Sequence, residues 1–245
     1  NLAVCVGQDI NYVAVKNRED DNTFLLAEAR LDAYFKNENE YEILKSYKGI
    51  DLVGIKYQPI FDDYKLHDNA FVFLSDPFVS TEDGTGIVHM APAYGEDDYR
   101  ICRKSNIEIV DPLDEDCVFT EEISWLKGKF CKDADKDIIT ILKNNNQLVY
   151  QSTIQHSYPF CERTDTPLIY RAIDAWYVRV EDLREKMKNH NNKIHWMPKH
   201  VGEKRFANWL ADAKDWNISR NRFWGSCIPL WINENDPSDI ICVQS

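Results

Sequence analysis

A histidine and three acids lie close together in Gly84-Thr85-Gly86-Ile87-Val88-His89-Met90-Ala91-Pro92-Ala93-Tyr94-Gly95-Glu96-Asp97-Asp98-Tyr99. His89 falls near the end of a short apolar run. Glu96, Asp97 and Asp98 follow Gly95 and open a stretch with Arg100 and Arg103 behind them, which is the charge order of a helix start. An ionised carboxylate can pair with an ammonium group, such as the α-amino group of an amino acid. A histidine beside it can donate or accept a hydrogen bond near neutral pH. Both residue types also have plain structural uses. Acids in a first turn answer the helix dipole, and a strand-end histidine is often just a hydrogen-bonded polar residue. The chain shows no Ser-His-Asp order, zinc-ligand spacing or phosphate loop. Pattern alone therefore marks a candidate small-molecule pocket around His89 and Asp98.

These residues need a strand, a loop and a helix to position them. The spacing predicts a buried strand over 87–90, ended by Pro92, and a helix from Glu96 onward. Before them, residues 2–6, 12–16, 41–46, 52–57 and 71–74 read as strands, the first two separated by the turn Gly7-Gln8-Asp9. Residues 23–35 fit strand or helix equally. Beyond the motif, 107–110 and 147–155 read as strands, 133–144, 180–189 and 201–213 as helices, and 228–231 as extended. Short strands mixed with helices, without regular βαβ alternation, predict an α+β fold with a barrel-like sheet.

Composition sets bounds. With 44% hydrophobic residues the chain has the material for a packed core. Its longest apolar runs fall far short of the ~20 residues that span a bilayer, so no membrane partner is expected, and no basic-plus-apolar leader opens it. A soluble, cytoplasmic protein is the expectation. Seven cysteines, odd in number and with no C-x-x-C pair, argue against a disulfide framework and a four-cysteine zinc site. The net charge of −12 is uneven. Residues 1–150 hold 16 Lys+Arg against 29 Asp+Glu, and the remainder is nearly balanced. An acidic surface repels phosphates, so any RNA must be held mainly from elsewhere.

The segment Gly84–Tyr99 resembles the second signature of the editing domain inserted in isoleucyl-tRNA synthetases. Other stretches are similar to that insertion in the same order. Asn1-Leu2-Ala3-Val4-Cys5-Val6 resembles the strand after the family's threonine-rich motif. His156-Ser157-Tyr158-Pro159-Phe160-Cys161 and Thr166-Pro167-Leu168-Ile169-Tyr170-Arg171-Ala172 resemble a later part, and Trp216-Asn217-Ile218-Ser219-Arg220-Asn221-Arg222-Phe223-Trp224-Gly225 the return to the synthetic domain. The resemblance divides the chain into an editing core (1–160), a distal part of the insertion (161–215) and the start of the return to the class I catalytic domain (216–245).

The resemblance implies hydrolysis of misattached valine from tRNA(Ile). Asp98 would grip the α-ammonium, His89 would lie beside the ester and terminal ribose, and Asn1 would stand at the rim. Thr85, Gly86, Ile87, Val88 and Ala91 would shape a pocket too small for isoleucine. Water would attack, with no protein nucleophile and no cofactor. ATP and Mg serve the synthetic reaction, whose site the resemblance places outside this stretch. Partners would be the valine-carrying 3′ end of tRNA(Ile) and the rest of the synthetase polypeptide. Isoleucine and valine differ by one methylene, worth about 1–3 kcal/mol in an apolar pocket, a limit for which the isoleucine enzyme is itself the standard worked example.

Two departures from the family pattern carry expectations. The chain begins at Asn1, just after the place of the threonine-rich strand, so these residues alone are expected to hydrolyse Val-tRNA poorly or not at all. Some relatives carry C-x-x-C after Tyr-Pro; here the stretch reads Cys161-Glu162-Arg163-Thr164, so no zinc is expected. Two other readings stay open: the editing domain of a valyl or leucyl enzyme, and a non-catalytic RNA-binding or interaction module. For the latter, Arg220, Arg222, Phe223 and Trp224 form a basic-aromatic run.

Overall fold

Ten strands and six α-helices are present among residues 1–153, 155–220 and 228–243, the residues that the computed structural model describes. The roles read for Asn221, Arg222, Phe223, Trp224 and Gly225 lie outside them. The chain forms two compact units, Asn1–Ala172 and Ile173–Ser245.

The first unit is built on two three-stranded sheets. In one, β1 (Ala3–Val6) lies between β5 (Val72–Ser75), parallel to it, and β6 (Ile87–Met90), antiparallel. In the other, β2 (Asn11–Asn17) lies between β3 (Thr23–Ala27) and β4 (Tyr41–Lys48), both antiparallel. The turn after Gly7 therefore carries the chain from one sheet to the other. The two sheets share a core of Val6, Tyr12, Ala27 and Leu52, against which Phe73 and Ile87 pack. Backbone bonds also cross between them. Ala27 N donates to Thr85 O at 2.8 Å, just before β6. The short helices α1 (Leu31–Tyr34) and α2 (Gly49–Leu52) follow β3 and β4. After α2 the chain runs back along β5, with Phe73 N donating to Ile55 O at 2.9 Å and Tyr57 N to Phe71 O at 2.8 Å. This is what remains of the strand expected over 52–57, whose first residue α2 takes.

Helices α3 (Glu96–Lys104) and α4 (Asp135–Asn144) complete the main elements of this unit. Ile101 and Cys102 of α3 are buried in a second core with Ala3, Cys5, Phe71 and Met90. Strands alternate faces. Val88 and Met90 point into this core, while Ile87 joins the core between the sheets. His89 therefore shares the face of Ile87. A fully buried large aliphatic side chain is worth about 1.5–3 kcal/mol, so Val88 and Met90 hold β6 down and leave His89 available.

No strand forms over 107–110. Ile107 is buried, but its N–H donates to Cys102 O and closes the helix end instead of a ladder. The strand expected over 147–155 is likewise missing from residues 147–153. The N–H groups of Gln147 and Leu148 both return to Leu142 O at the end of α4, and Val149 and Tyr150 stand exposed. The first unit runs on to Ala172 because the last stretch folds back. Ala172 N donates to Ala93 O at 2.7 Å, and Arg171 pairs with Asp111 at 2.6 Å.

In the second unit, β7 (Tyr177–Val178) pairs with β8 (Trp216–Asn217), and β9 (Leu230–Asn233) with β10 (Asp236–Cys242). Helices α5 (Arg184–Asn191) and α6 (Ala207–Ala211) stand where longer ones were expected. A π-turn over Val201–Phe206 precedes α6, with Gly202 pressed against the Trp196 indole. No helix among the described residues is long and apolar enough to cross a membrane.

Candidate functional site

The expected residues gather at one end of β6. Ala3 faces Met90 and Val4 faces His89 across the β1–β6 ladder, and Leu2 N donates to Met90 O at 2.9 Å. Asn1 is thereby set beside the chain that leaves β6 at Ala91. Pro92 ends the strand, a loop follows, and Gly95 starts α3. Asp98, the third residue of that helix, turns back, and its Oδ1 accepts from Ala91 N at 2.6 Å. A Cβ on Gly95 would stand 2.4 Å from Asp98 Oδ2, so only glycine leaves the carboxylate in this place. A carboxylate has about four acceptor positions; this bond fixes its direction and leaves capacity for a ligand's donor.

Asp98 acts electrostatically on both His89 and Cys102. His89 is solvent-accessible, yet surrounding protein depresses its pKa below the ordinary 6.5. Burial is the largest cause, while Asp98 opposes it. The ring is thus reached by solvent while protein lies close around it. It is neutral at pH 7, one nitrogen donating and the other accepting. Burial pushes the Cys5 thiol up to about 12 and the Cys102 thiol up to about 11, with Asp98 raising the latter further. Neither is a thiolate at neutral pH, so neither is an activated nucleophile.

The structure does not bring all candidates together. Thr85 and Gly86 lie at the far end of β6, roughly 16–20 Å from Ala91 at about 3.3 Å per extended residue. Thr85 O accepts from Ala27 N, and Gly86 O accepts from the buried Tyr12 hydroxyl at 2.8 Å. They fasten β6 to the other sheet. Ile87 and Val88 pack into the two cores, and Ala91 supplies its N–H to Asp98. Asp97 bonds Arg100, away from Asp98's contact.

Asn1 is held from both sides. Its Oδ1 accepts from the Tyr57 hydroxyl at 2.5 Å, and its Nδ2 donates to Ala3 O at 3.1 Å. Sequence reading missed Tyr57, which belongs to no motif and lies 56 positions from Asn1. Asn1 also borders a largely apolar cavity of ≈290 Å³ lined by Tyr64, Phe71, Phe119, Ile123 and Leu126 among others. The stretch at Cys161 forms a tight turn, with Cys161 N donating to Thr166 O and Asp165 N to Cys161 O, both at 2.8 Å. Among the described residues no group of three or more His, Cys, Asp or Glu is placed to hold a metal ion.

The family model described as tRNA synthetases class I (I, L, M and V) matches residues 9–245. The cytoplasmic isoleucine–tRNA ligase of Mus musculus is 47% identical, aligned over 100% of this chain and 20% of its own length. The isoleucine–tRNA ligase of Bdellovibrio bacteriovorus is also 47% identical, over 100% of this chain and 23% of its own. The cytoplasmic enzyme of Saccharomyces cerevisiae is 44% identical over 100% and 24%. The chain thus spans about a fifth to a quarter of the length of these relatives. Among solved structures, "The crystal structure of GlLeuRS-CP1" aligns with TM-score 0.47 and 16% identity, covering 62% of this chain and 79% of that one.

Proposed function

Because this chain belongs to the class I tRNA synthetases (I, L, M and V) and its relatives are isoleucine–tRNA ligases, we propose that it is the editing part of an isoleucyl-tRNA synthetase, hydrolysing the ester of Val-tRNA(Ile). One observation carries the reading. Asp98 is aimed by Ala91 N and Gly95 at the end of β6, beside a neutral, accessible His89. That arrangement suits the two ends of an aminoacyl ester: an ammonium for the carboxylate, and ester or ribose oxygens for the histidine.

The step follows from these parts. Asp98 binds the valine α-ammonium and so fixes the ester carbonyl. Water attacks the carbonyl carbon, and the bond to the ribose oxygen breaks. That oxygen takes one of the water's protons and the other passes to solvent, leaving free valine as its carboxylate and a ribose hydroxyl. His89 and Asn1 supply hydrogen bonds to the ester or ribose as charge moves onto oxygen. The protonated thiols of Cys5 and Cys102 support attack by water over attack by the protein. This chemistry calls on no cofactor. A barrel-like core carries the site. Backbone bonds run from residues 54–57 through β5, β1 and β6, across Ala27–Thr85 to β3, and on through β2 to β4, which α2 joins back to residue 54. The tRNA and the rest of the synthetase would be its partners, in the cytoplasm.

The test uses the full-length synthetase and single-turnover deacylation of Val-tRNA(Ile). Asp98→Ala removes the charge for the ammonium and is expected to slow hydrolysis about 100- to 1000-fold, the scale of a lost site donor or charge. Wild-type deacylation by Asp98→Ala would overturn the assignment.

A further inference from the structure

We infer that Tyr57 is a positioning residue for this hydrolytic site, acting through Asn1 to make it present an N–H donor to an oxygen of the substrate. This rests on the editing reading above and deepens it. The tyrosine hydroxyl lies 2.5 Å from Asn1 Oδ1 while Asn1 Nδ2 lies 3.1 Å from Ala3 O. A main-chain carbonyl only accepts, so it must face the amide nitrogen. The amide oxygen is then left for the phenol, which donates to it. A flipped carboxamide would set oxygen against oxygen at Ala3 and lose that bond, so the Ala3 carbonyl fixes the orientation. An amide nitrogen has two hydrogens and Ala3 uses one. Asn1 is exposed, so the second is available to a ligand. What it fits is an acceptor, an ester carbonyl or ribose oxygen, and not an ammonium.

Tyr57 is suited to this because it is itself fixed. Its N–H donates to Phe71 O at 2.8 Å. Its ring meets Phe71 and Phe73 edge to face, with centroids 5.9 and 6.1 Å away and planes at 87° and 84°. Backbone bonds run from Tyr57 N to Phe71 O, then from Phe71 N to Leu2 O, so Tyr57 is tied through the residue before β5 to the residue next to Asn1. Burial raises the phenol's pKa, so it remains a donor at every working pH.

Tyr57→Phe keeps the ring packing and deletes the hydroxyl. In the full-length synthetase it is expected to lower the single-turnover deacylation rate constant roughly 5- to 10-fold, the scale of one uncharged hydrogen bond. The half-saturating Val-tRNA concentration should change less than about 2-fold, since the tRNA is held mainly elsewhere. Asn1→Ala should lose at least as much, and the double variant should be no slower than Asn1→Ala alone. Losses that multiply in the double variant, or a wild-type rate in Tyr57→Phe, would overturn the inference. Should Tyr57→Phe not fold, Asn1→Asp decides. It keeps an acceptor for Tyr57 but lacks the donor, so it must lose as much activity as Asn1→Ala, and retained activity would overturn the inference. Asp98→Ala is the control for the parent reading. If it too is wild type, the site assignment fails; if only the Tyr57 and Asn1 results fail, the site stands without this tyrosine.

Discussion

His89 is the residue whose protonation state bears most directly on the proposed hydrogen bonding to ester or ribose. Burial lowers its pKa from 6.5, and Asp98 only partly offsets this. The neutral ring is then the resident form at neutral pH. The consequence for stability has a definite sign. An unfolded histidine takes its proton as pH falls through about 6.5, while the folded one resists until a lower pH. Stability tied to His89 is therefore intact above about 6.5, falls as pH drops below it, and is fully lost below the folded pKa. Titrating the ring C–H resonances of this chain by NMR should give a His89 midpoint below 6.5. A midpoint at or above 6.5 would contradict desolvation of the ring by the surrounding protein. The same residue shows why part of the site was readable. His89, Ala91, Gly95 and Asp98 lie within ten positions, so strand and helix-start signals place them together. Tyr57 was not readable, because its contact with Asn1 depends on two ladders in sequence and no local pattern.

Strand β6 works as an element with two differently used ends. The Asp98 end is left open, and the Gly86 end is bolted to the second sheet. Gly86 has φ +74, and a Cβ there would come within 2.6 Å of Ala27 Cβ. Tyr12, fully buried, accepts from Gly7 N at 2.9 Å and donates to Gly86 O at 2.8 Å. The family resemblance assigned Thr85 and Gly86 to a pocket, but their contacts across 58 and 74 positions were invisible in the sequence. Strand readings failed for a related reason. Residues 107–110 and 147–153 have strand-like composition, but the N–H groups that open them, those of Ile107, Gln147 and Leu148, are met by the preceding helix ends. Apolar content alone does not supply a ladder partner. The bolt can be tested. Gly86→Ala should cost about 2–5 kcal/mol, combining a left-handed alanine with overpacking. This would lower the unfolding midpoint by roughly 5–15 °C on the scale for domains of this size. Gly84→Ala is the comparison, since Gly84 also has positive φ (+60) but nothing lies within 4 Å of its Cβ. Equal losses in the two variants would show that β6 needs no close approach to β3.

At the scale of the whole chain, charge decides how RNA can be bound. Residues 1–150 carry 29 acids against 16 bases, and several of the bases are already engaged. Arg100 pairs with Asp76 and Asp97, Lys127 with Glu121, and Lys129 with Asp137. Each phosphate neutralised on single-stranded RNA steepens the fall of log K with log salt by about 0.7. A chain that binds a tRNA end only through a small site should therefore show almost no such slope. Affinity would be supplied by the rest of a synthetase, consistent with relatives four to five times as long. Filter binding of this chain to bulk tRNA across about 50–200 mM salt is expected to be weak, with a slope shallower than about −1. A slope of about −3 or steeper, unaltered by Asp98→Ala, would mean that several phosphates are held by this chain itself. It would favour a non-catalytic RNA-binding module over an editing site fed from elsewhere.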